Sequence, residues 1–295
     1  MTLPAELLNR TVYLNGEFLP LKDAKVSVLD RGFVFGDGIY EVVAVYNKKP
    51  FRIEQHLDRL ERSLDKIKLN NPLSRQGWKD LIAGLVATLP DADQFVYFQI
   101  TRGVAPRDFG FPAADTATTL FAITSPFKPV PKAQREGGLT LVKLPDLRWL
   151  RCDIKSVSLL GAVLAKQDSL DAGVDDCVMF RDGYLTESSS ANVWIVKDGR
   201  VTAPPRDNLI LEGIRYGLMQ EMAESAGIPF EVKRITEAEV DGADEILITS
   251  ATREVLAGTQ LNGKAIGKGE YAGKPGPVYH RFYAAYQEAK KRLCG

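Results

Sequence analysis

The chain has 295 residues, 45% of them apolar and 26% charged, and its 38 Lys and Arg balance its 38 Asp and Glu to a net charge of zero. That length allows about two domains of ~150 residues each, and a neutral balance gives no support for nucleic-acid or membrane-surface binding. No apolar run approaches the ~18 residues of a membrane helix, and MTLPAELLNR at the start has no long apolar stretch, so neither a span nor a signal peptide is expected and the expected location is cytoplasmic.

TVYLNGEFLP (11–20) alternates around an Asn-Gly pair, a hairpin signal with a type I′ turn. YEVVAVYNKKPFRI (40–53) predicts a strand that turns at residues 47–50. Ile53, Leu57, Leu60, Leu64 and Ile67 then recur at spacings of 4, 3, 4 and 3, the stripe of one helix face. A helix is expected over 76–89 and strands over 94–103 and 118–126. SPFKPVPKAQREGG (125–138) holds three prolines and two glycines and reads as a linker. It divides an N-terminal domain (1–125) from a C-terminal one (139–295), with 126–138 between them. Beyond it come strands near 139–144 and 150–155, then a helix over 158–172. Strands over 177–182 and 192–199 follow, with hairpin turns at Asp182-Gly183 and Asp198-Gly199. A helix over 212–226, a buried strand over 245–251 and an amphipathic helix over 277–293 complete the pattern. The fold class is α/β, or α+β, in two halves. No Gly-x-Gly-x-x-Gly follows a strand, which argues against a doubly wound dinucleotide fold.

The scarce residues narrow the chemistry. There are two histidines, His56 and His280, and three widely spaced cysteines, Cys152, Cys177 and Cys294. An odd, scattered set favours reduced thiols over a disulfide framework. Zinc and EF-hand patterns are missing, so no metal site is expected, and neither a Gly-x-Ser-x-Gly elbow nor a Walker loop occurs. Chemistry must come from Lys, Glu, Arg, Tyr or a borrowed cofactor.

Five segments could carry it. Lys155, in RWLRCDIKSVSLLGAVLAKQ (148–167), ends a predicted strand ahead of a helix. Half-buried there, its ammonium would be disfavoured by desolvation, giving an amine able to form a Schiff base; a strand lysine reaching solvent is the competing reading. Glu187, in YLTESSSANVW (184–194), could pair with a cofactor's ring nitrogen or belong to a polar turn. His56 and Arg59 are three apart on one helix face, where Arg59 suits a phosphate or simply faces solvent. LEGIRYG (211–217) sets Gly213 at a helix start, an anion site or a plain terminus. ITSATREV (248–255) ends a strand in hydroxyls, a further phosphate-cradle candidate.

Taken in order, RGFVFGDGIYE (31–41), HLDR (56–59), DIKS (153–156), TESSSANVW (186–194), LEGIR (211–215) and TSATREV (249–255) resemble the class IV aminotransferases, the fold-type IV pyridoxal-phosphate enzymes. The resemblance spans roughly residues 11–285, and YFQITRGVAPRDFGFP (97–112) looks especially like the bacterial D-amino-acid aminotransferases. It implies a two-domain fold with a smaller N-terminal domain, a larger C-terminal domain carrying the lysine, and a homodimer with shared active sites. Lys155 would hold pyridoxal 5′-phosphate as a Schiff base and shuttle the proton during catalysis. Glu187 would face the ring nitrogen and Leu211 would pack on the ring. Arg59, the helix start at Gly213, the backbone of Ile214 and Arg215, and the hydroxyls of Ser250 and Thr252 would take the phosphate, although Ala251 stands where a threonine is usual. The donor's α-carboxylate would meet Tyr40 and Arg107. The third position of that trap, usually His, is Phe109, and Phe33 replaces a usual Tyr. The implied reaction moves an amino group from a D-amino acid to a 2-oxo acid in two half-reactions, with room for (R)-primary amines. The alternatives are a branched-chain L-amino-acid aminotransferase, a 4-amino-4-deoxychorismate lyase and a non-catalytic cofactor-binding relative.

Overall fold

The computed structural model describes residues 3–295. It falls into two compact units. The first takes the chain up to Phe127 together with Ile154–Ser158 and Leu293–Gly295, and the second takes Lys128–Asp153 and Leu159–Arg292.

The first unit begins with α1 (Ala5–Leu8), the hairpin β1 (Thr11–Leu14) and β2 (Glu17–Pro20), and α2 (Arg31–Phe35). Then come β3 (Gly38–Tyr46), β4 (Lys49–Pro50), α3 (Ile53–Lys66), α4 (Arg75–Ala87), β5 (Gln94–Thr101) and β6 (Thr119–Pro126). The six strands form one antiparallel sheet in the order β2-β1-β6-β5-β3-β4. The first turn is built by Asn15 and Gly16, at φ of 49° and 106°. Both lie in the left-handed region a type I′ turn requires, where Asn and Gly cost least. The α3 stripe does what its spacing predicts. Leu57, Leu60 and Leu64 are buried with Ile39, Val43 and Val45 of β3 and with Trp78, Ile82 and Leu85 of α4. Each such side chain contributes about 1.5–3 kcal/mol by leaving water. Trp78 stacks on Phe98 of β5 at 4.7 Å between ring centroids.

The second unit contains α5 (Lys132–Gly137), β7 (Leu139–Pro145), α6 (Leu160–Asp171), β8 (Asp176–Arg181), β9 (Tyr184–Leu185), β10 (Asn192–Lys197) and β11 (Arg200–Ala203). It continues with α7 (Ile214–Ser225), β12 (Phe230–Val232), α8 (Glu237–Asp241), β13 (Glu245–Ser250), β14 (Glu254–Leu261), β15 (Lys264–Ala265) and α9 (Pro277–Cys294). Its sheet runs β12-β11-β10-β13-β14-β7-β8-β9, with β15 on β14. Pairing is mixed: β11/β12, β14/β7 and β7/β8 are parallel and the rest antiparallel. Strands β8, β10 and β13 are buried almost throughout.

One expectation changes. Residues 150–155 are not a strand. Leu150, Cys152 and Ile154 alternate as a strand would, but Cys152 gives its N–H to Asn208 O at 2.9 Å and only Ser156 makes a bridge, to Ile39. Within the proline-rich segment, α5 occupies Lys132–Gly137. Pro131 starts it at a position where a missing N–H costs nothing. In addition, Ile154–Ser158, which holds Lys155, groups with the first unit although the chain on either side belongs to the second.

Candidate active site

In the first unit, β3 sets two groups on opposite faces because side chains alternate along a strand. Glu41 shares a face with Ile39 and Val43 and is fully buried. It accepts Arg59 Nε on Oε1 at 2.7 Å and Arg59 Nη2 on Oε2 at 2.8 Å, and its Oε2 lies 2.8 Å from His56 Nδ1. The three-residue spacing of His56 and Arg59 thus serves one buried carboxylate. Burial alone would raise the Glu41 pKa, but the Arg59 guanidinium and the His56 ring hold it well below the usual carboxylate range.

On the other face, the Lys155 ammonium lies 4.1 Å from the centroid of the Tyr40 ring. Tyr40 gives its N–H to Lys155 O at 2.9 Å, and Val157 gives its N–H to Gly38 O at 3.1 Å. The lysine therefore rides on a short segment strapped along the start of β3, not on the end of a strand. Tyr40 stacks on Tyr97 at 5.7 Å, and Tyr97 donates to Gln99 Oε1 at 2.8 Å. Desolvation pushes the Tyr97 hydroxyl up to about 12, so it remains a neutral donor.

Arg107, Phe109 and Phe33 are exposed. Phe109 lies against Phe35 at 5.6 Å, and the Arg107 guanidinium sits 5.4 Å from Phe35 and 5.7 Å from Phe109.

The second unit holds the remaining candidates. Glu187 is 5% exposed and follows β9. Its Oε2 accepts from Arg148 Nη1 at 2.5 Å and its Oε1 from Asn192 Nδ2 at 2.9 Å. Arg148 is itself held by Asp146 through Nε and Nη2, at 2.9 and 2.8 Å, and Asp146 accepts from the Thr186 hydroxyl at 2.8 Å. Burial pushes the Glu187 carboxyl above its usual pKa, against the downward pull of Arg148. Asn192 also donates to Leu211 O at 2.9 Å, which ties β10 to the turn before α7. That helix opens on Gly213 with no side-chain cap; Tyr216 N donates to Gly213 O at 2.8 Å, while the N–H groups of Ile214 and Arg215 lie ahead of the helix's own hydrogen-bond ladder. Ser250 ends β13, and its hydroxyl accepts from Arg253 N at 3.2 Å and lies 3.4 Å from the Thr252 hydroxyl. Arg215 is buried and its guanidinium donates to Ala251 O at 3.2 Å and Tyr286 Oη at 2.8 Å. Its backbone, not its side chain, is what a helix-start anion site would use.

The structure thus gathers Tyr40 with Lys155, and Arg59 with His56, in the first unit. In the second it links Glu187, Asn192 and Leu211. Glu41, Arg148, Asp146 and Asn192 were missed from sequence. Glu41 had a signal, an acid inside an otherwise apolar strand with His and Arg at helical spacing shortly after it. Arg148 had none, since 39 residues separate it from Glu187.

A carboxylate fixed by an arginine and an amide, an uncapped helix start and a pair of hydroxyls form a donor set suited to a phosphorylated pyridine. Among the described residues the buried Ser188 hydroxyl, next to Glu187 in sequence, has no hydrogen-bond partner, an orphan that a bound group would satisfy.

Comparison with known proteins agrees. D-alanine aminotransferase of Staphylococcus haemolyticus is 35% identical over 277 residues, covering 94% of this chain and 96% of that protein. The D-alanine aminotransferase of Staphylococcus aureus strain N315 is 37% identical over the same shares. Among solved structures, the branched-chain aminotransferase of Thermoproteus uzoniensis superposes with a TM-score of 0.84 at 22% identity, over 94% of this chain and 93% of that one. The branched-chain amino acid aminotransferase of Escherichia coli gives 0.83 at 21% identity, over 95% and 93%. At that identity the two structures speak for the fold alone. The family described as amino-transferase class IV matches residues 38–261, and the chain belongs to the class IV aminotransferases.

Proposed function

We propose that this aminotransferase uses pyridoxal 5′-phosphate to transfer the amino group of a D-amino acid to a 2-oxo acid. The observation that carries the reading is likeness to D-alanine aminotransferases at 35–37% identity along nearly the whole chain. Support comes from Lys155, Arg59 and Glu187, each within a motif that resembles the family's. When bound, the cofactor supplies a protonated ring that takes up the electron pair left at the donor's Cα. Lys155 would hold the cofactor and would supply the amine that takes the donor's Cα proton. Tyr40, in contact with the ammonium, limits where that amine can swing. Glu187, fixed by Arg148 and Asn192, is the acceptor that keeps the ring nitrogen protonated. The N–H groups of Ile214 and Arg215, the hydroxyls of Ser250 and Thr252, and Arg59 would hold the phosphate, and Leu211 would pack on the ring.

Substrate choice rests on Tyr40, Arg107, Phe109 and Phe33. Arg107 keeps the charge and fork for a carboxylate. Phe109 offers only apolar area, which weakens that capture and admits donors without a carboxylate. We read the active form as a homodimer in which Arg107 serves the neighbouring subunit.

A donor panel tests the reading: D-alanine, D-glutamate, L-leucine, (R)-1-phenylethylamine and 4-amino-4-deoxychorismate, each followed by cofactor absorbance. D-alanine or D-glutamate should react fastest. Fastest reaction with L-leucine, or pyruvate release from 4-amino-4-deoxychorismate, overturns it.

A further inference from the structure

The segment that carries Arg107 and Phe109 is exposed from residue 106 to 111 and sits beyond the end of β5. Its tip has little to hold it: Gly110 N donates to Asp108 Oδ1 at 3.1 Å, a turn closed on itself. A buried charge cluster supplies the anchor. Arg31, at the first position of α2 and 4% exposed, donates through Nε to Asp37 Oδ2 at 2.8 Å. Its Nη1 donates to Asp108 O at 2.7 Å, the carbonyl between Arg107 and Phe109. Arg102 grips the same Asp37 Oδ2 through Nε at 2.8 Å, and its other nitrogens donate to Ile67 O and Lys68 O at 2.8 and 3.1 Å, just past α3. The ring of Phe111 lies over the Arg102 guanidinium at 3.8 Å. Phe35 lies 4.8 Å from the Arg31 guanidinium as well as against Phe109.

The arrangement is a strut. Asp37 is clamped between two buried arginines; one is fixed to main-chain carbonyls after α3 and the other reaches the loop. Arg31 spans a carboxylate at one end and a backbone carbonyl at the other, which a planar five-donor fork can do and a point charge cannot. We propose that Arg31 is a positioning residue for donor selection: tied to Asp37, it holds Asp108 O and so fixes where Arg107 and Phe109 project. The role rests on the reading that Arg107 and Phe109 face the donor.

The test compares Arg31→Lys and Arg107→Ala holoenzymes with the wild type, using the carboxylate donor that reacts fastest in the panel. Arg31→Lys keeps the charge beside Asp37 but loses the second arm. Its KM should rise about tenfold with kcat within about twofold, the signature of a misplaced binding group. Hydrogen exchange should quicken at amides 104–111 and stay at the wild-type rate in β5. If Arg107→Ala raises KM and Arg31→Lys does not, the strut role is overturned while the reading of Arg107 stands. If Arg107→Ala leaves KM unchanged, the reading of Arg107 fails and the proposal with it. Exchange quickened throughout the unit would make Arg31 a fold residue only and overturn the proposal. Should Arg31→Lys not fold, Asp37→Asn, which leaves an acceptor but removes the clamped charge, is judged by the same readouts.

Discussion

Lys155 is the residue proposed to carry the chemistry, and its setting differs from that of a second lysine close in sequence. Lys166 points its ammonium at Asp175 O within the second unit, whereas Lys155 is held against Tyr40. Borohydride reduction of the holoenzyme should therefore trap cofactor on Lys155, and Lys155→Ala should abolish the adduct; a peptide map showing it on Lys166 would refute the assignment. Glu41 makes a prediction about stability. Its folded pKa lies below its ordinary 4.5 because Arg59 and His56 outweigh burial. The charged form is then favoured by folding, so the stabilisation is complete above the ordinary carboxylate range and is lost as pH falls through the folded value. Glu41→Gln leaves Arg59 buried with a weakened partner and should cost about 3–5 kcal/mol at neutral pH. Denaturant titrations should show the gap between variant and wild type closing in acid; a constant gap would mean that packing and not charge is lost. Phe109 is proposed to govern selectivity. A His there could donate to a carboxylate, and one hydrogen bond to a charged group is worth about 1.5–3 kcal/mol, roughly ten- to a hundredfold in kcat/KM. Phe109→His should raise kcat/KM for D-alanine and lower the relative rate with (R)-1-phenylethylamine. Unchanged rates for both would show that this ring does not face the donor.

At the scale of elements, the glycine ahead of α7 couples the helix to the Glu187 carboxylate. A Cβ on Gly213 would stand 2.1 Å from Asn192 Oδ1. Its φ of −64° suits alanine, so the backbone would not object. The side chain of Asn192 must give way, and with it the bonds to Glu187 Oε1 and Leu211 O. Gly213→Ala should thus fold normally and lose about tenfold in kcat/KM, the scale of one hydrogen bond to a charged group. In an Asn192→Ala background the same change should cost nothing further, and additive losses would exclude this route. The elements most readable from sequence were those with a strict local code. The Asn-Gly and Asp-Gly hairpins and the stripe of α3 depend on neighbours a few residues apart. The segment 150–155 misled because alternation is also what a loop shows when it buries some of its apolar residues, here Cys152 and Ile154 but not Leu150, against unlike partners. β14 went unread as a strand because Gly258 and the run of Ser, Thr and Arg before Glu254 hide its alternation. The charged partners Arg148 and Asp146 were illegible for a different reason. They meet Glu187 through the pairing of distant strands, and no spacing in the chain encodes that meeting.

At the scale of the molecule, both units leave apolar side chains in water. The second exposes Leu147, Leu150, Leu160, Val163 and Leu164, on the start of α6 and the segment beside it, where Arg148 approaches Gly161. The first exposes Val28, Phe33, Phe109 and Phe111. Large clustered apolar exposure favours association, and a second copy of the chain, related by a two-fold axis, would cover the same surfaces on both subunits. The homodimer reading has a sharper consequence than mass. Lys155 and Arg107 belong to the same unit of one chain, yet Arg107 is proposed to serve the neighbour. A Lys155→Ala chain and an Arg107→Ala chain should each be nearly inactive toward a carboxylate donor. Mixed and allowed to exchange, they form heterodimers in which one of the two sites has both an intact Lys155 and an intact Arg107. With equal input and free exchange, half the dimers are mixed and about a quarter of all sites become complete. Activity should recover to that order, with the KM of the wild type, because each restored site is chemically whole. If Arg107 instead acted within its own chain, no heterodimer site could hold both residues. A mixture shown by mass spectrometry to have exchanged subunits would then stay inactive, and the shared-site reading would fall.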